Sequence, residues 1–190
     1  MSKVITFSRQ FPAYHPKAGQ PTYFVEKLLN KLVPGWQFDD VYWRLLAELN
    51  DKKLKSGKLT MWQLVDFWKN LDRSIKNEKA HTIRSRHSRK QGQFLTPAVW
   101  SGRPYHDPQI IIAPDMEVKK VWDFKVQKFI DGYWIDFGNY HIPESFPFRH
   151  SILPMVARND GLSLEDFLAW FKWPSAFDGQ IIFFSNDVNY

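Results

Sequence analysis

Cysteine is absent from the 190 residues, which excludes disulfide frameworks, iron–sulfur clusters, thiolate zinc sites and cysteine nucleophiles together. Long hydrophobic runs are missing too. The longest aliphatic stretch, Ile110-Ile111-Ile112-Ala113, is far too short to span a bilayer. The opening Met1-Ser2-Lys3-Val4-Ile5-Thr6-Phe7 has no apolar core followed by a small-residue cleavage signal. A cytoplasmic protein without a membrane partner is therefore expected. The nine glycines form no nucleophile elbow, P-loop or dinucleotide-binding pattern. The six histidines show no i, i+4 pair and no carboxylate at motif spacing, so neither a metal site nor a cofactor is expected.

Acidic residues are scarce in one window. The chain holds 26 Lys and Arg against 20 Asp and Glu, a net charge of +6. Residues 79 to 90 contain five of the bases (Lys79, Arg84, Arg86, Arg89 and Lys90) and no acid, which leaves 21 bases against 20 acids elsewhere. Nearly all the excess charge is local, in a mid-chain segment between structured-looking stretches. With 44% apolar residues and 16 Phe, 9 Trp and 7 Tyr, the chain can bury a large core, which argues against disorder. One domain spanning 1–190 is the length prior.

Periodicity divides the chain. Val4 to Phe11 alternates as a short strand before Pro12. Phe24, Leu28, Leu29 and Leu32 form a helical stripe. A second helix is predicted from about Asp39 to Lys53 with Val41, Leu45, Leu46 and Leu49 inward, and a third after Thr60 as N-cap, with Met61, Leu64, Val65, Trp68 and Leu71 recurring at three and four residues. Trp62, Trp68, Trp170 and Trp173 read as packing residues on or beside apolar helix faces. Residues 21–75 thus form a helical block.

From residue 80 the period becomes strand-like. Strands are predicted at Thr82–Ser85, Gln93–Trp100 and Gln109–Ala113, then along Val118, Trp122, Phe124 and Val126, with a hairpin at Asp131-Gly132 leading to Tyr133–Phe137. A loop is expected from Pro143 to Pro147. A short helix near Ile152–Arg158 should stop at Gly161. Ser163 with Asp166 resembles a capping box opening a helix over about Leu164–Lys172, in which Glu165 and Asp166 are helix-start acids. Gln180–Phe184 is the closing strand.

The segment Lys79-Ala80-His81-Thr82-Ile83-Arg84, followed by the basic loop Arg86-His87-Ser88-Arg89-Lys90-Gln91-Gly92 and a strand, resembles the signature of ASCH domains. These are small β-barrels related to the PUA RNA-binding fold. The resemblance covers about residues 3–11 and 76–184, and residues 21–75 look like a helical insertion. It implies an α+β fold: a PUA-like barrel of five to seven strands with peripheral helices. One branch of the family comprises acetylcytidine amidohydrolases, with a Lys, a Thr and a Glu proposed as base, nucleophile and acid. Carried over by motif, Lys79 is the proton acceptor and Thr82 the nucleophile. Asn159-Asp160-Gly161 sets Asp160 at the acid's place, one methylene shorter than Glu.

The residues carry their own chemical reading. A threonine hydroxyl attacks only after a base takes its proton, and a lysine serves when burial or neighbouring cations depress its pKa. Residues three apart on a regular strand face opposite sides, so Lys79 and Thr82 converge only if 79–81 form a turn or bulge. Independently, Arg84, Arg86, Arg89 and Lys90, with Arg9 from the first strand, suit phosphates, and Trp100 and Tyr105, flanking Gly102-Arg103-Pro104, suit unstacked bases. The expected function is recognition of RNA or a modified nucleoside in a basic cleft. The alternatives are an amidohydrolase using Lys79, Thr82 and Asp160, and an interaction module in which the aromatic-rich insertion docks a protein.

Overall fold

The structure is a computed structural model that describes residues 3–129, 132–137, 140–145, 152–171 and 176–188. It is of mixed α+β class and divides into two compact units: Met1–Gln10, Pro21–Glu78 and Phe94–Met116 form one, and Phe11–Gln20, Lys79–Gln93 and Glu117–Tyr190 the other.

The first unit contains β1 (Lys3–Thr6), helices α1 (Phe24–Leu32), α2 (Asp39–Lys55) and α3 (Met61–Lys69), and strands β3 (Phe94–Trp100) and β4 (Gln109–Ile111). β1 runs parallel to β3, and β4 runs antiparallel on β3's other side. The predicted opening strand is cut short at Thr6 rather than Phe11. Thr60 caps α3 as expected: it accepts from the Gln63 amide, and the Gln63 side chain accepts from the Thr60 amide at 2.9 Å.

The helix boundaries match their periodicity, but two inward faces differ from expectation. On α2, Val41 is exposed, Leu45 and Leu49 are half-buried, and Tyr42, Leu46 and Asn50 face the core. The reason is the edge of β4, whose backbone groups require polar partners. Asn50 supplies two of them, donating to the Ile111 carbonyl (2.8 Å) and accepting from the Ile111 amide (2.9 Å), and the Tyr42 hydroxyl donates to the Ile112 carbonyl (2.8 Å). On α3, Leu64 and Phe67 are buried whereas Met61 and Trp62 lie on the surface, Trp62 at 75% exposure. The packing role expected of Trp62 is thereby corrected. Trp68 does pack, 5.3 Å from the Trp43 ring.

The second unit holds β2 (His81–Arg84), β6 (Lys120–Phe129), β7 (Gly132–Phe137), β8 (Tyr140–Ser145), α4 (Leu153–Asn159), α5 (Leu164–Phe171) and β9 (Phe177–Phe183). The two-residue β5 (Met116–Glu117) pairs with β3. The order β2-β9-β6-β7-β8 is antiparallel throughout, and its two edges, β2 and β8, leave this sheet open among the described residues. Pro143, expected in a loop, lies in β8 opposite Trp134. An edge strand tolerates proline because one row of its amides needs no ladder partner. The hairpin's Asp131, and Pro147, Lys172 and Trp173, fall outside the described residues.

α4 ends as expected, with Asp160 at the C-cap and Gly161 in the left-handed region at φ 83°. Ser163 accepts from the Asp166 amide at 3.1 Å and opens α5. Among the described residues no helix is long and apolar enough to cross a membrane.

Candidate functional site

The site of the second unit is assembled where the chain enters β2. The Ala80 amide donates to the Asn159 carbonyl at the end of α4, and the Ala80 carbonyl accepts from Phe184, extending the β2–β9 ladder back by one residue. This fixes Lys79 beside the C-terminus of α4. Its ammonium donates to Asp160 Oδ1 at 2.6 Å and to the Asp160 carbonyl, and both residues are buried, at 1% and 5% exposure. A cation at a helix C-terminus is favoured by the exposed carbonyls there. The same end of the helix disfavours the Asp160 carboxylate, which Lys79 offsets.

Burial pushes the Asp160 carboxyl above the usual aspartate range, against the pull of Lys79, Arg84 and the Ile83 backbone. His81, fully buried, brings Nδ1 to 3.8 Å from Asp160 Oδ1. Burial holds its pKa well below the ordinary histidine value, and the Lys79 charge adds to this. Arg84 is lowered by burial and by Arg89, and is raised by Asp160. Lys79 thus pairs with a buried carboxylate, and the charges of Lys79 and Arg84 both favour its ionised form.

Thr82 is buried on β2, in register with Ile182 of β9. Residues 79 and 80 lie in no assigned turn, and β2 pairs in continuous register from His81. Of the three residues of the catalytic expectation, Lys79 and Asp160 meet directly, and Thr82 is buried on β2, a few residues along the chain from Lys79.

The loop after β2 leaves Arg86 and Lys90 exposed and Arg89 half-buried. Side chains of β6 and β9 hold it. Gln180 of β9 accepts from the Arg89 amide (3.1 Å) and donates to the Arg89 carbonyl (3.4 Å). His87 sits between two carboxylates, with Nδ1 3.0 Å from Asp123 and Nε2 2.8 Å from Asp178. The hydrogen bond to Asp178, then the one to Asp123, raise the His87 pKa above its ordinary value. Sequence reasoning missed His87, Asp123, Asp178 and Gln180. Both aspartates lie far along the chain from the basic window, and only the β6–β9 pairing makes them neighbours.

Arg9, Trp100 and Tyr105 belong to the first unit. Arg9 and Trp100 line a cleft of about 620 Å³ together with Phe7, Arg103, Pro104 and Asp107. Tyr105 packs on Trp100 with ring centroids 5.4 Å apart and is 89% exposed. The candidate binding residues thus fall into two groups, one in each unit. No family model, curated protein or solved structure matches this chain.

Proposed function

We propose that the chain is an ASCH-like domain that binds RNA or a modified nucleoside through the strand and loop from Lys79 to Lys90. The reading carries with it the PUA-like barrel class and the description of residues 21–75 as an insertion. The observation that supports it most is the basic loop after β2, which Gln180 and His87 fix against β6 and β9. Further along the loop, Arg86 and Lys90 are exposed. A cationic loop whose backbone is held by Gln180 and whose His87 is held by two carboxylates pays less to become ordered on a phosphate backbone. Phosphate contacts of this kind give binding that weakens steeply with salt. Titration of a fluorescein-labelled single-stranded RNA at two salt concentrations tests the reading. Affinity that collapses at the higher salt supports it, and no binding at low salt overturns it.

The contact between Lys79 and Asp160 favours a second reading, deacylation of an acetylcytidine-like compound. In that reaction the Thr82 oxygen would bond to the acyl carbon as the C–N bond breaks. Its proton would pass through Lys79 to the departing amine, and water would then hydrolyse the ester. Lys79 would first have to be deprotonated, and its ion pair with Asp160 opposes that. Incubation with acetylcytidine tests this reading: release of cytidine that is abolished in Thr82→Val would support it, and no release would remove it for that substrate.

A further inference from the structure

The first unit carries a second feature that does not depend on the RNA-binding loop. Its cleft of about 620 Å³ falls within the range of about 300–1,000 Å³ typical of small-molecule sites. One wall is the approach from β1, Phe7 to Gln10, and the other is the connection from β3 to β4, Trp100 to Asp107. The lining combines the two chemistries a nucleotide needs. Phe7, Pro21, Trp100 and Pro104 are apolar, and Arg9 and Arg103 are cationic.

The single acid among the lining residues, Asp107, is already engaged. Its carboxylate accepts from the Arg103 amide, and it occupies the space where a Cβ on Gly102 would stand. Arg9 is ordered in advance, with its guanidinium 5.4 Å from the centroid of the Phe67 ring. Guanidinium groups bind phosphate oxygens in pairs of parallel hydrogen bonds, which favours a phosphate over a simple halide-like anion.

The aromatic side is unusual in one respect. Tyr105 has φ +65°, in the left-handed region that costs a non-glycine residue backbone energy, although the side chain is almost entirely exposed and fills no core space. What the strained backbone does is hold the Tyr105 ring on Trp100, at an interplanar angle of 51°. Trp100 lines the cleft, so the pair forms an aromatic platform at its edge. Stacking on such a platform accepts any base and adds affinity without hydrogen-bond readout.

We propose that this cleft is a site for a mononucleotide, its base stacked at Trp100 and Tyr105 and its phosphate held by Arg9 and Arg103. The probes are AMP and CMP, with adenosine, cytidine and inorganic phosphate as separate arms, titrated calorimetrically into the full chain. Both mononucleotides should bind, and the nucleosides and phosphate alone should bind at least about tenfold more weakly, since each supplies only one of the two contacts. Arg103→Ala and Tyr105→Gly should each weaken mononucleotide binding by about tenfold. Tyr105→Gly should leave the melting temperature unchanged or raised, because glycine adopts the left-handed conformation without strain. A doubly substituted R86A/R89A protein should bind mononucleotide as the parent does, which separates this site from the RNA-binding loop. The proposal is overturned if neither mononucleotide binds, if phosphate alone binds as tightly as AMP, or if R86A/R89A abolishes binding while R103A and Y105G retain it.

Discussion

The Lys79 ammonium and the Asp160 carboxylate, 81 residues apart in sequence, lie 2.6 Å from each other in the interior of the second unit. The pair joins the entry of β2 to the end of α4, and it orders the start of the basic segment. A buried pair of this kind gains little over an apolar substitute but is costly to break on one side.

Lys79→Met should therefore destabilise the protein by about 3 kcal/mol in urea denaturation at neutral pH. The loss should shrink as pH falls toward about 4, because Asp160, its carboxyl already raised by burial, can take a proton once its cation is gone. The sign follows from the direction of the shift: a carboxyl whose folded pKa exceeds its unfolded value stabilises the fold below that unfolded value and loses the contribution as pH rises. The double variant K79M/D160N should lose less than the sum of the two single variants. Strict additivity and a pH-independent deficit would contradict the pairing.

His87 predicts the behaviour of the loop. Its pKa is raised by Asp178 and Asp123, so its stabilising contribution is full below about 6.5, the unfolded histidine value, and is lost as pH rises through the folded value. His81 works in the opposite sense, since its lowered pKa removes stability as pH falls below about 6.5. The measurement is accordingly a difference. The stability of the parent minus that of His87→Gln, followed from pH 5 to 8 (a range of about three units around the histidine value), should be largest at the acid end. It should diminish in high salt, because the site is partly exposed. A flat difference would show that His87 does not tie the loop down.

Much of the local structure was legible in the sequence, and the exceptions share one cause. Thr60, Gly161 and Ser163 were readable because caps depend on residues within one turn of each other. The helix spans and most strands followed from periodicity. The inward faces of α2 and α3 did not, because the edge of β4 recruits Tyr42 and Asn50 through hydrogen bonds that hydrophobic spacing does not encode. Pro143 reads as a loop residue until the strand order places β8 at an edge. At the site, Lys79 and Asp160 were each singled out by motif, whereas the carboxylates beside His87 required the β6–β9 register. A charge count over a window sees the cations of that window and none of the acids that pairing brings to it.

Asn50 offers a test of the first unit. Its side chain, fully buried, serves both the amide and the carbonyl of Ile111. Asn50→Ala should cost about 2–4 kcal/mol, since it leaves two buried backbone groups without their partner. Hydrogen exchange at the Ile111 amide should accelerate in the variant. An unchanged rate would mean that α2 does not cover the edge of β4 in solution.

The RNA-binding reading meets its most direct test in the salt dependence of affinity, compared between the parent and R86A/R89A with a labelled single-stranded RNA. Each phosphate contact contributes about 0.7 to the slope of log K against log salt for single strands, so the double substitution should lower the slope by about 1.4 and weaken binding at low salt. An RNA affinity and slope that do not change on removing Arg86 and Arg89 would contradict the assignment of the Lys79–Lys90 segment as the binding surface.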